Sequence, residues 1–155
     1  MKALWNAVRT DSVRSGLPAF FPERAYAQVK AIADPAADYE YRLLEDYRLD
    51  IEAAHALLGA NAPEAKLDGV VVPAGHAHWV DPGACYNQVG YYEVPNSRLI
   101  YREEGEQRSI GIASMISWRG VWYVIHLGVV QRDAAVGVVD DPSAGAGTPT
   151  PSSTC

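Results

Sequence analysis

The chain has 155 residues, 48% of them hydrophobic and 10% aromatic, with a formal net charge of −6. That balance belongs to one globular domain with a sizeable core, and it offers no basic footprint for nucleic acid or an anionic membrane surface. The longest apolar stretch, from Ile110 to Val130, is broken by Gly111, Ser114, Ser117 and Arg119, short of the roughly 18 uninterrupted residues of a transmembrane helix.

The first half reads as helices. From Lys2 to about Ser12, Leu4, Trp5 and Val8 fall at helical spacing, and Asp11, Ser12, Gly16 and Pro18 end the pattern. A second helix is predicted from Pro22 to about Ala33, with Pro22 suited to its first position and Glu23 to the positive end of its dipole. Asp34 and Pro35 start a third. Its buried face repeats as Tyr39, Leu43, Tyr47, Ile51, Ala54 and Leu58 until Gly59. Glu45 and Glu52 stand three and four residues from Arg48, spacings that favour helix without naming a function.

The period then changes to that of strands. Leu67–Val72, His76–Val80, Val89–Val94, Arg98–Glu103, Gln107–Trp118 and Val121–Val130 are the candidates. Arg119-Gly120 between the last two runs predicts a two-residue hairpin turn. Gly90, Gly111 and Gly128 inside these strands predict bulges or bends. Helices followed by a meander give an α+β fold, N-terminal helices packed on a curved antiparallel sheet. The domain is expected to span 1–139. Residues 140–155, rich in Pro, Gly, Ser and Thr and ending in Cys155, read as a tail unable to fold alone.

MKALWNAVRTDS has too short an apolar stretch for a signal peptide, which by itself gives a cytosolic protein. The two cysteines point the other way. A bridge between Cys85 and Cys155 would close a loop of about 70 residues, stabilise by about 4 kcal/mol in the chain-entropy model, and place the protein in an oxidising compartment, secreted or in the cell envelope, with a signal or anchor upstream of Met1. Without the bridge, Cys85 is a small buried apolar residue, Cys155 a terminal thiol and the location cytoplasmic.

Among candidate chemical groups, His126 is expected on one face of the last strand with Trp122, as an acid–base or ligand-binding group or as a core histidine. Asp50, near His55 and one turn from Asp46, is expected on the solvent side of the long helix; turned inward beside Ile51 and Tyr47, it is that helix's best carboxylate for a pocket. His76 and His78 form an H-x-H pair, but neither Asp68, Asp81 nor Cys85 completes a recognised spacing, so no metal site is assigned. No cofactor motif or nucleophile elbow is present. Nine tyrosines against two phenylalanines supply rings with a polar handle. Trp122, Trp118, Tyr92 and Tyr47 are the expected ligand-binding set.

The strings WVDPGACYNQVGYYEVPNSRLIYREEG and RSIGIASMISWRGVWYVIHLG resemble a set of actinobacterial exported proteins, a likeness spanning Leu4 to Pro142 that implies export and carries no activity. The element order is similar to the NTF2-like (cystatin-like) cone folds, although those place a strand or hairpin before the third helix and none is read here. Such folds host isomerases, dehydratases and binding modules, so function does not follow from the fold. Abundant aromatics without catalytic spacing favour a non-catalytic exported protein that binds a small apolar ligand or an envelope protein partner, with a homodimer as a further form. The alternative is a small NTF2-like enzyme, isomerase or dehydratase in type, with His126 and Asp50 as acid and base.

Overall fold

The computed structural model describes residues 1–132 and 134–149. The N-terminal half is helical as expected: α1 (Lys2–Thr10), α2 (Val13–Gly16), α3 (Glu23–Val29), α4 (Pro35–Asp38) and α5 (Leu44–Leu58). Ser12 caps α2 and Asp34 caps α4 through their side chains. The predicted third helix is continuous, but a π-helical turn at Tyr39–Leu43 joins α4 to α5. The extra residue of that turn lets Tyr39 and Leu43 both reach the core.

Six antiparallel strands form the sheet: β1 (Lys66–Val71), β2 (His78–Val80), β3 (Tyr91–Glu103), β4 (Glu106–Trp118), β5 (Val121–His126) and β6 (Ser143–Ala144). The long strands β3 and β4 form its spine. Short β1 and β2 share the outer edge of β3, and β5 and β6 share the outer edge of β4. Both hairpin turns, Glu104-Gly105 and Arg119-Gly120, have positive φ at each residue, the geometry that tight hairpins of right-twisted strands require.

Two differences from the sequence reading matter for the site. The segments Val89–Val94 and Arg98–Glu103 belong to one strand, because Pro95 pairs with Ser114 of β4 while its missing N–H faces the gap between β1 and β2. Asn96, at φ 51°, bends the strand there. The last strand stops at His126 rather than Val130. After it the chain returns past α5, where Gly137 approaches the Leu49 carbonyl, and residues 140–147 dock on the sheet.

That docking explains two glycines. A side chain at Gly111 would overlap Asp140, and one at Gly128 would overlap the Val138 carbonyl and the Asp50 carboxylate, so both positions permit close approach of the returning chain rather than marking a bulge. Gly111 donates its amide to the Asp140 carbonyl at 2.6 Å. Arg98, almost fully buried, reaches the Asp141 carboxylate and carbonyl and Ser109 Oγ, each at 2.7 Å. The bulges fall elsewhere, at Asp68 in β1 and at Ile125 in β5.

The core lies between the helices and the sheet. Leu4, Trp5 and Val8 of α1 and Tyr47, Ile51, Ala54 and Leu58 of α5 meet Leu99, Tyr101, Ile110 and Ile112. Trp5 and Tyr101 rings lie 5.2 Å apart. Ahead of α3 the chain makes a single parallel bridge, Phe20 with Val124. Among the described residues no helix is long and apolar enough to cross a membrane.

Candidate functional site

A cavity of about 160 Å³ opens between α3, the π-helical turn and the sheet. Phe21, Leu43, Ile116 and Ile125 form its apolar walls, and Tyr26, Lys30, Arg42, Cys85, Glu93, Ser114 and His126 bring polar atoms to it. Sheet register explains the choice. Ile116 pairs with Glu93 on one side and Tyr123 on the other, and Ser114 pairs with His126. Successive residues of a strand face opposite sides, so Glu93, Ser114 and Ile116 share the helix-facing side.

The extra residue Ile125 reverses the expected partner of His126. Met115 pairs with Val124 and Ser114 with His126, so the bulge turns His126 toward the cavity while Trp122, paired with Ser117, points to the other face. Trp122 therefore stands outside, 39% exposed, and Tyr92 is outside too, set edge-on against Trp79 at 5.2 Å. Trp118 is half-buried, edge-on to Phe21 at 6.2 Å, and faces an open depression with Pro22, Arg24 and Tyr123. Tyr47 is a core residue, stacked on Phe20 at 4.2 Å with its hydroxyl donating to the Gly16 carbonyl. Of the expected ligand-binding set, none lines the cavity.

Asp50 is buried rather than on the solvent side, and it does not line His126's cavity. Its carboxylate accepts from the Gly128 and Val138 amides at 2.8 and 2.9 Å and from both terminal nitrogens of Arg132 at 2.9 and 3.1 Å. Its lone pairs are used in tying the returning chain to α5. His55 is likewise structural, with Nδ1 2.9 Å from the Val8 carbonyl oxygen.

Around the cavity, Tyr26 organises the cations. Its hydroxyl donates to Asp38 and accepts from Arg42 Nη2 at 2.9 Å, and the Lys30 ammonium sits 5.8 Å from its ring centre. Asp38 also accepts from Arg42 Nε at 2.7 Å. The Arg42 guanidinium and the short contact with Tyr26 hold the Asp38 carboxyl below its usual range, against burial. Lys30 donates to the Cys85 carbonyl at 2.9 Å, and burial, with Arg42 nearby, lowers its pKa.

The buried Glu93 accepts from Ser114 Oγ at 2.5 Å, and its second oxygen is 3.4 Å from His78 Nε2. His78 of the H-x-H pair is thus turned toward a carboxylate of the neighbouring strand. Among the described residues no group of three or more His, Cys, Asp or Glu is arranged to hold a metal ion. Burial pushes His126 down to about 3, and the cations Arg42, Lys30 and Arg132 push the same way. Cys85 lies at the cavity in a left-handed conformation, φ 47°; Cys155 falls outside the described residues.

Lys30, Arg42, Glu93 and Ser114 escaped the sequence reading. Glu93 carried a legible signal: in YYEV it alternates with Tyr91, so one carboxylate had to share the face of a buried ring. Lys30 and Arg42 carried none, since a charge on an amphipathic helix ordinarily marks the solvent side. The site defines an α+β domain with a small, mainly apolar cavity edged by two cations. Comparison with protein-family models, curated proteins and solved structures finds no match for this chain.

Proposed function

We propose that this is a non-catalytic binding protein, exported and NTF2-like in architecture, whose cavity holds one small, largely apolar molecule. The observation that carries this reading is the state of His126. An imidazole with a pKa of about 3 stays neutral near pH 7 but is a weak base, far from the near-neutral value that efficient general acid–base catalysis favours. Asp50, its expected partner in an enzyme, is committed to Arg132. A cavity of about 160 Å³ is comparable with the roughly 150 Å³ apolar cavity that takes up benzene. A Cys85–Cys155 bridge, part of the same reading, would fasten the C-terminus beside it.

The test is a native mass spectrum of the protein purified from its source without reductant. The expected mass is two hydrogen atoms below the reduced value, with one small molecule retained. Val130→Trp, at the exposed rim of the cavity, is expected to fold normally and to lose the adduct. A wild-type protein that is reduced and empty, and whose melting temperature no small apolar compound raises, overturns the reading.

A second reading, an interface for an envelope partner or a second copy, is favoured by the outward aromatics Trp79, Tyr92 and Trp122, which are 50%, 52% and 39% exposed. It predicts a concentration-dependent mass in sedimentation, abolished in Tyr92→Ser/Trp122→Ser. An invariant monomeric mass removes the homodimer.

A further inference from the structure

We propose that the cavity takes its ligand as a small carboxylate of about benzoate size, with the ring on Phe21, Ile116 and Ile125 and the anionic head between Lys30 and Arg42. This rests on the cavity being the binding site. The walls set the body of the ligand: apolar side chains and the ring of Tyr26 enclose space for a single aromatic ring and a few further atoms.

The charges set its head. Lys30 and Arg42 flank the same tyrosine, one beside its ring and the other on its hydroxyl. Lys30 makes one hydrogen bond, to the Cys85 carbonyl, and so has two N–H groups left among the described residues. Arg42 spends Nε and Nη2 on Asp38 and Tyr26, while its Nη1 bonds to none of the described residues. The cavity lining carries two cations, Lys30 and Arg42, against one carboxylate, Glu93, which is engaged by Ser114, while Asp38 outside the lining is paired with Arg42. A carboxylate at that position would complete charge-assisted hydrogen bonds with both cations.

Glu93 fixes the orientation. Its buried carboxylate occupies the Ser114 end of the cavity and would repel a second anion there, so the head must lie toward α3 and the π-helical turn. Neutral His126 leaves a weak polar contact for the ring side of the ligand without competing for the anion.

Binding of benzoate and of its uncharged isostere benzamide, followed by calorimetry and melting temperature on the full chain, separates the possibilities. Benzoate is expected to bind about tenfold or more tightly than benzamide. Lys30→Met is expected to remove that preference while leaving benzamide binding intact, which also reports that the variant is folded. Equal affinity for the two compounds, or a benzoate preference that survives Lys30→Met, overturns the anionic head and leaves the cavity reading standing. Failure of both compounds to bind, with Val130→Trp indistinguishable from wild type, overturns both.

Discussion

Asp50→Ala is expected to lose about 3–5 kcal/mol of folding stability, because it strips the buried guanidinium of Arg132 of its partner and orphans two backbone amides at once. In a domain whose whole stability is of order 5–15 kcal/mol, that is a large fraction. The side chain of Arg132 is only 9% exposed. Asp46 stands 3.7 Å away and is itself short of solvent, so one distant oxygen would have to replace two close ones. Urea titration reads the loss directly, and amide exchange at Gly128 and Val138 shows where it acts. The double replacement Asp50→Leu/Arg132→Met is expected to recover much of it, since a buried pair exchanged for apolar groups of similar volume is close to neutral. A single variant within 1 kcal/mol of wild type would return Asp50 to the list of functional carboxylates.

This pair also marks where sequence reading reaches its limit. The helices were legible because Leu4, Trp5 and Val8, and then Tyr47, Ile51, Ala54 and Leu58, repeat at the spacing of one buried face, and all of them are in the core. The Arg119-Gly120 turn was legible because two consecutive positive φ angles restrict the residues that can occupy it. Asp50, expected on the solvent side with an inward placement as the alternative, is buried. What local pattern could not show was that Arg132, 82 positions later, would reach it. Pairings of that separation are decided by how the whole chain packs.

The same limit applies to the end of the chain. Composition gives DDPSAGAGTPT too little apolar area to fold by itself. It is silent on a segment that docks through one buried arginine, one backbone amide and two residues of strand added to an existing edge. In the cavity the failure is more local. One bulged residue, Ile125, separates His126 from the face of Trp122, and no propensity rule distinguishes an apolar residue that bulges from one that pairs. The alternation was sound on either side of it.

Acid is expected to destabilise the wild-type protein more steeply than His126→Gln. In the folded chain His126 titrates at about 3, and in the unfolded chain near 6.5, so the folded-state value is depressed. The stabilisation is complete above the unfolded value, falls as the pH drops below about 6.5 and is exhausted near 3, because over that window only the unfolded chain takes up the proton. Between pH 7 and pH 5 this one residue removes about 2 kcal/mol relative to the variant. Burial is the first cause of the depression, and the three cations add to it. An anion bound between Lys30 and Arg42 would offset part of their field, so saturating benzoate is expected to raise the pH 5 stability of wild type more than that of His126→Gln. Paired urea titrations at the two pH values decide it: parallel losses in the two proteins would place His126 in a wetter environment than the cavity gives it, and with that remove the main argument against its acting as a base.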